Sequence, residues 1–230
     1  MNPALLTPSR GIISAIFTLA WPTILEQLLQ TVVQYADSAM VGQLGATASA
    51  AVGITASPMW LVSSFFLAAG IGVLAVTARA IGARDRDRAG RTAVQAIYLT
   101  LFLGLVVGGL ALLVSDPLPG WMGAEEQVQP VASVYFFIVS LPMVFRGAMV
   151  IFGAVLRATG DTRTPMLVNL LVNFINVILN FLLIYETRTL SLFGCSFSMW
   201  GAGMGVIGAG IATAIALTVG GIFIDRKSVV

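Results

Sequence analysis

The 230-residue sequence has no histidine and only one cysteine, Cys195. Without histidine, the chain has none of the imidazole groups that serve as acids and bases near neutral pH and as common zinc ligands. A single cysteine excludes a disulfide within the chain and a CxxC pair. Charged residues are scarce as well, at 10% of the sequence, whereas soluble domains carry about 25%. The chain therefore has few of the side chains on which soluble enzymes depend.

Hydrophobic residues are abundant instead, at 58% of the sequence, with a mean hydropathy of +0.96. A bilayer core about 30 Å thick is crossed by about 20 apolar helical residues. Six stretches reach that length, and each is a long apolar run rather than a short alternation of the kind found in barrel strands. The sequence predicts an all-α integral membrane protein in which residues 1–230 form one unit of six transmembrane helices, at 12–40, 48–78, 93–114, 131–156, 165–185 and 203–224.

The basic residues predict how these helices are oriented. Six crossings leave only Arg188 in the outer segments, whereas the inner segments contain Arg10, Arg79, Arg84, Arg86, Arg88, Arg91, Arg157, Arg163, Arg226 and Lys227. Basic residues concentrate in cytoplasmic loops. We therefore expect a multi-pass protein of the plasma (cytoplasmic) membrane with both termini in the cytoplasm. The basic run at 84–88 is interpreted as a determinant of this topology, so the lipid bilayer is an expected partner and nucleic acid is not.

Polar residues inside the predicted spans are the first functional candidates. An ionisable side chain at the bilayer centre costs about 2.5–3.5 kcal/mol on insertion scales, and three such residues occur, Glu26, Asp37 and Arg146. Two helical stripes consist of acidic or carboxamide side chains. On the first span the stripe is Glu26, Gln30, Gln34 and Asp37, and on the fifth it is Asn169, Asn173, Asn176 and Asn180. Both stripes are expected to face the bundle interior or a water-filled cavity.

The outer parts of these stripes predict a cation site. Asp37 and Asn180 each lie within about 10 Å of the outer end of their helix. A carboxylate beside carboxamides suits a cation rather than an anion, and Thr213 can add a hydroxyl. The candidate cation-binding and substrate-binding residues are Asp37, Asn176, Asn180, Thr213, Gln34 and Asn173. The alternative for any single asparagine is an interhelical hydrogen bond worth about 0.6–2 kcal/mol.

Glu26 and Arg146 lie deeper, each about 21–22 Å from the outer end of its helix. Their similar depth predicts an intramembrane ion pair, with an unpaired Arg146 bonded to backbone carbonyls as the alternative. Elsewhere, Gly104 and Gly108 form a GxxxG pattern, which predicts a close contact between helices.

Three segments of the chain resemble the amino-terminal half of a multidrug and toxic compound extrusion (MATE) transporter. They are WPTILEQLLQTVVQYADSAMVGQLGA on the first span, IGARDRDRAGRTAVQAI in the next inner loop, and LRATGDTRTPMLVNLLVNFINVILNFLLIY on the fifth span. The resemblance runs from about Thr18 to Ala216. It implies a secondary-active transporter that exports organic cations or drugs in exchange for sodium ions or protons, with a small cationic molecule as substrate.

The resemblance also assigns roles to individual residues. Asp37 takes the position of the family's acidic residue in helix one, and Asn176 that of its asparagine in helix five. Asn180 stands where some members have aspartate, which lowers the negative charge and leaves open whether sodium or a proton is the coupling ion. Thr213 falls near the family's helix-six threonine. The resemblance implies no cofactor and no metal except a sodium ion at Asp37.

Members of the family have twelve helices in two six-helix lobes, whereas this sequence accounts for one lobe. The resemblance therefore implies that the second lobe belongs to a longer chain of which this is a fragment, or that a second copy forms a homodimer. Two other functions are considered, a lipid-linked oligosaccharide flippase of the same superfamily and a non-transporting membrane fragment. A flippase needs several cationic side chains for a pyrophosphate, and the spans supply only Arg146. An enzyme is not expected, because the spans contain no GxSG, HExxH or paired-aspartate motif.

Overall fold

The computed structural model describes residues 12–192 and 195–228, and within these ranges the chain is helical apart from its loops and one hairpin. The helices are α1 (Ile12–Gly42), α2 (Ala46–Gly82), α3 (Arg86–Val114), α4 (Leu118–Trp121), α5 (Gln129–Ser140), α6 (Met143–Ala158), α7 (Arg163–Leu183) and α8 (Gly205–Ser228). The hairpin consists of β1 (Glu186–Leu192) and β2 (Cys195–Ala202). Arg10, which contributes to the predicted orientation, lies outside the described residues.

Four of the described helices, α2, α3, α7 and α8, are long and apolar enough to cross a membrane, and α5 with α6 makes a fifth candidate if the pair is one broken span. α1 is also long, at 31 residues. Glutamate, glutamine and aspartate side chains make its described part more polar, however, and it is not among these candidates. The described part of the chain is thus a mostly helical membrane protein with four to five candidate spans, and the count of six crossings stays a prediction.

The fourth predicted span, 131–156, is not one helix. It is divided into α5 and α6, which are bent by 48°. Pro142 lies at the break and accounts for it. Proline has no N–H to donate to the helix, and it disfavours helical geometry in the residue before it. α6 therefore begins inside the span, and Arg146 lies in its first turn, where the Arg146 amide N donates to the Pro142 carbonyl over 2.9 Å.

The all-α prediction is wrong between α7 and α8, where β1 and β2 form an antiparallel hairpin. Glu186 lies opposite Ala202, and Leu192 lies opposite Cys195. The sequence carries a signal for this hairpin. Polar and apolar residues alternate with a period of two in part of each strand, as TLSL and SFSM, which is typical of β-structure. Each strand is short, so a search for stretches of about 20 residues does not detect it.

The helices pack around α6. This helix lies against α2, α3 and α8, while α8 also packs along α7. The largest hydrophobic cluster includes Phe66, Met143, Ile151 and Phe152, and none of its described members comes from α1. α1 makes most of its contacts with α7. It is therefore attached mainly through one neighbour.

The GxxxG prediction is confirmed. A Cβ atom added to Gly104 would lie 2.7 Å from the Val144 Cα atom, and one added to Gly108 would lie 2.8 Å from the Met143 Cβ atom. These distances are shorter than any ordinary carbon contact. The two glycines therefore allow α3 to approach the backbone of α6 directly.

We expect Gly104→Ala to lower the free energy of unfolding by roughly 1–3 kcal/mol, because the α6 backbone must move to admit the methyl group. Gly109→Ala is the matched control on the same helix, since a Cβ there meets nothing within 4 Å. Both substitutions gain the same helix propensity, so the difference between them measures the packing. Equal melting temperatures of the two variants in detergent would contradict the close approach.

Candidate cation site

Four of the six predicted site residues meet between α1, α7 and α8. The Asn180 side-chain nitrogen Nδ2 donates to Asp37 Oδ1 over 2.7 Å. Asn176 lies one turn below Asn180 on α7, and its amide is 3.2 Å from the Thr213 hydroxyl oxygen on α8. Asn180 is 1% exposed and Asn176 is 5% exposed. The structure therefore places a carboxylate, two carboxamides and a hydroxyl in one polar cluster inside the bundle.

The inward face of α7 determines where the two asparagines lie. Its buried residues include Val168, Val172, Asn176 and Asn180, which are spaced by four and form one line along the helix. The half of this line nearer the start of α7 is apolar, and the half nearer its end is amide. Both amides therefore lie on the side of α7 that packs against neighbouring helices, at the level of Asp37.

Two orientations of the Asn176 amide fit the same atomic positions, because its oxygen and nitrogen are assigned from hydrogen bonding. In one, Asn176 Oδ1 accepts from Asn180 Nδ2 over 3.2 Å. In the other, the Asn176 nitrogen donates to Asp37 Oδ2 over 3.0 Å and its oxygen accepts from the Thr213 hydroxyl over 3.2 Å. We adopt the second orientation, because it gives both carboxylate oxygens a donor.

The electrostatics of this cluster favour a cation. Within the described residues Asp37 has no basic partner within ion-pair distance, and its charge is compensated only by N–H dipoles. Asn180 Oδ1 is buried and has no hydrogen-bond partner. Carboxylate, amide and hydroxyl oxygens are the ligands that hard cations prefer. The described residues contain no group of three or more His, Cys, Asp or Glu side chains that could hold a metal ion, and the carboxylate in this oxygen set is that of Asp37.

Gln34 and Asn173 do not join the cluster. Gln34 is exposed on α1 and Asn173 is half-buried on α7. No hydrogen bond between described residues joins either side chain to Asp37. Of the predicted set, the structure therefore brings together Asp37, Asn176, Asn180 and Thr213.

The predicted ion pair between Glu26 and Arg146 is wrong. Glu26 Oε2 lies 3.7 Å from Arg157 Nη1, and Glu26 Oε1 accepts from Asn169 Nδ2 over 2.7 Å. The prediction compared depths along straight helices, whereas the break at Pro142 changes the course of the fourth span. The Arg157 side chain runs back over Gly153, where an added Cβ would lie 3.3 Å from Arg157 Nη2.

Arg146 has no ion-pair partner in the part of the chain that the structure describes, and its Nη1 atom is buried without a hydrogen bond. Tyr135 on α5 lies within electrostatic range of both Arg146 and Asp37. Sequence reasoning missed Tyr135 and the role of Arg157. Two features of the sequence could have identified these residues. Tyr135 is the single tyrosine of α5. Arg157 directly follows an apolar run, so its long side chain can extend back along the helix.

Polar contacts connect α1 to α7 at three levels. Asn169 contacts Glu26 and Asn180 contacts Asp37, in each case 143 residues apart in sequence. Just beyond the last residues of both helices, the Tyr185 hydroxyl donates to Gln43 Oε1 over 2.8 Å, at a separation of 142 residues. Because residue numbers rise together on both helices, α1 and α7 run parallel and in register.

A carboxylate held by buried polar side chains inside a bundle of apolar helices is typical of proteins that move ions or solutes across membranes. The fold and the site thus define a multi-pass membrane transporter. The MatE family model matches residues 22–182, and the chain belongs to this family of MATE transporters.

Relatives and solved structures agree with this assignment. The chain is 31% identical over 167 residues to a probable multidrug resistance protein NorM of Thermotoga maritima, a match that covers 73% of this chain and 36% of the relative. A crystal structure of MATE in complex with MaD3S is 28% identical, with a TM-score of 0.83 over 93% of this chain and 45% of that one. The outward-facing conformation of a multidrug resistance MATE family transporter of the MOP superfamily is 30% identical, with a TM-score of 0.80. The match covers 93% of this chain and 44% of that one. The chain spans less than half the length of these proteins.

Proposed function

We propose that this chain is one lobe of a secondary-active transporter that exports organic cations or drugs by antiport with sodium ions or protons. The observation that carries the proposal is the half-buried Asp37 carboxylate, which is held by two carboxamides and has no basic partner among the described residues. A single carboxylate of this kind binds either a coupling ion or the cationic group of a substrate. Competition between the two for one site is the minimum that an antiporter requires.

The two amides give the site a simple way to change partners. With no cation bound, the N–H groups of Asn176 and Asn180 donate to Asp37. Rotation of either side-chain amide by about 180° turns its oxygen toward the carboxylate, where a cation can bind between them. The unpartnered Asn180 Oδ1 atom and the two acceptable orientations of Asn176 support this exchange. Binding of a cation thus replaces amide donors with oxygen ligands.

The charge of the site limits what it binds. One carboxylate among neutral groups is neutralised by one sodium ion, one proton or one ammonium group of a substrate. Asn180 supplies a neutral oxygen where an aspartate would add a second charge. We infer that the lobe exchanges one monovalent cation at a time. Comparison of sodium and proton gradients in liposomes identifies the coupling ion.

We further propose six crossings with both termini in the cytoplasm, and a second lobe that comes from a longer chain or from a second copy. The distribution of basic residues supports the orientation. Gln30 and Gln34 support the second lobe, because they lie on the stripe of Asp37 yet are exposed on this one. A flippase function is not favoured, because the relative named above is a probable multidrug resistance protein. Transport, rather than catalysis, remains the function that the site supports.

The proposal is tested with the full chain reconstituted in liposomes. Addition of an organic cation to one side is expected to drive sodium or proton flux in the opposite direction. Binding of radioactive sodium to the purified chain tests the site even where flux requires a second lobe. The proposed function would be contradicted if the chain showed no coupled flux and no saturable binding of sodium, protons or an organic cation.

We expect Asn176→Ala and Asn180→Ala each to weaken cation binding by about tenfold, which corresponds to about 1.4 kcal/mol, with a smaller change in stability. Asn169→Ala is the matched control, because Asn169 lies on the same face of α7 but contacts Glu26. It should lower the melting temperature without changing cation affinity. If the outer two variants lose stability and keep their affinity, these asparagines only hold the helices together.

A further inference from the structure

The corner between α2 and α3 carries positive charge that the chain itself does not neutralise. Five exposed arginines lie within 13 residues of sequence, Arg79, Arg84, Arg86, Arg88 and Arg91. None of them has an ion-pair partner among the described residues. One of the two nearby acids is already engaged, since Asp85 is the N-cap of α3 and its Oδ1 atom accepts from the Arg88 amide over 2.9 Å.

An open, shallow cleft of about 660 Å³ lies along one face of the first turns of α3, and its lining residues all belong to this helix. Its lining consists of Arg86, Asp87, Gly90, Arg91, Val94 and Gln95. The space beside Gly90 is open, because a Cβ atom added there would meet nothing within 4 Å. Two guanidinium groups therefore border an open space beside the positive end of the α3 dipole, which is an arrangement that suits a phosphate.

The cleft continues into an apolar surface. Below it, α3 exposes Val94, Tyr98, Leu101 and Leu105, whose side chains are 52%, 69%, 45% and 66% exposed. Their spacings of four, three and four place them on one stripe of the helix. α3 is one of the helices that qualify to cross the membrane. The cleft thus lies at the polar end of a stripe along which acyl chains can pack.

We propose that this cleft binds the head group of an anionic phospholipid, with its phosphate between Arg86 and Arg91 and its acyl chains along the apolar stripe of α3. Asp87 sets the kind of head group, since its carboxylate repels the phosphate but accepts hydrogen bonds from hydroxyl groups. Phosphatidylglycerol has both the phosphate and such hydroxyls. The proposal depends only on the chain lying in a bilayer, and not on the transport function.

The test measures binding of phosphatidylglycerol to the full chain by native mass spectrometry in a neutral detergent. A basic residue near an anionic head group contributes about 1 kcal/mol, so Arg86→Gln and Arg91→Gln are each expected to weaken binding about fivefold. Arg88→Gln removes the same charge from outside the cleft lining and should weaken binding less than twofold. Asp87→Asn should tighten binding at least twofold, because it removes the repulsion.

Three results would overturn the proposal. Equal losses in the three arginine variants would show a diffuse electrostatic attraction without a site. Equal binding of phosphatidylcholine would show no preference for an anionic lipid. Displacement of phosphatidylglycerol by millimolar inorganic phosphate would identify a site for free phosphate. Because all of these side chains are exposed, every variant should keep the parental melting temperature, and Arg86→Gln and Arg91→Gln test the site independently if one of them fails to fold.

Discussion

Asp37→Asn is expected to abolish ion-coupled export, with a loss of at least about 100-fold in coupled flux, or about 2.7 kcal/mol. The substitution removes the one charge of the site and keeps the size of the side chain. The new carboxamide still offers an oxygen to the Asn180 Nδ2 donor, which lies 2.7 Å away in the parent. Insertion and folding should therefore survive. Drug-dependent sodium or proton flux in liposomes measures the loss of transport, and the melting temperature in detergent measures any loss of folding.

Asp116→Asn is the matched control for this experiment. Asp116 is exposed in the loop after α3, and its replacement removes the same charge from a side chain that is not among the residues of the cation cluster. Coupled flux should remain at the parental rate. If Asp37→Asn behaves like this control, Asp37 does not carry the transported cation and the site has been assigned to the wrong residue.

The ion pair between Glu26 and Arg157 should appear as a coupling energy in a double-mutant cycle. Loss of one member of a fully buried pair costs about 3–5 kcal/mol, because the other charge is left without a partner. The Arg157 and Glu26 side chains are 26% and 13% exposed, so water relieves part of that cost. We expect Glu26→Gln and Arg157→Gln each to lower the free energy of unfolding by about 1–3 kcal/mol. The double variant should recover a good part of the loss.

Arg146 provides the comparison for this cycle. Since Arg146 does not pair with Glu26, the losses from Glu26→Gln and Arg146→Gln should add. Coupling between these two residues and additivity between Glu26 and Arg157 would reverse the assignment. Neither Glu26→Gln nor Arg157→Gln should change which ion drives transport, because the contact between these two residues joins α1 to α6 and lies outside the cation cluster.

The sequence predicts a mostly helical membrane protein, and for related reasons it selects the residues Asp37, Asn176, Asn180 and Thr213, which the structure brings together. Long apolar runs stand out because a bilayer demands them. Asp37, Asn176 and Asn180 stand out because polar side chains in such runs are costly and their spacing places them on helical stripes. The same reasoning selected Gln34 and Asn173, since a stripe identifies a face of a helix but not which of its members touch a neighbour.

The errors arose where the chain departs from straight helices. The break at Pro142 made depth an unreliable guide to the partner of Glu26. Arg157 was interpreted as a loop charge, because sequence spacing does not show how far a long side chain reaches back along its own helix. The hairpin 186–202 was missed because its alternation is short.

The register between α1 and α7 limits how the cation site can open. Glu26 and Asp37 are 11 residues apart, or about 16 Å along the axis, and each contacts a residue of α7 at the same offset. A slide of α1 by one turn, about 5.4 Å, would misalign all three contacts at once. A tilt about Glu26 as a pivot needs far less, since 10° over a lever of about 16 Å moves Asp37 by about 3 Å. Such a tilt is enough to separate Asp37 from Asn180 while Glu26 keeps its contacts with Asn169 and Arg157.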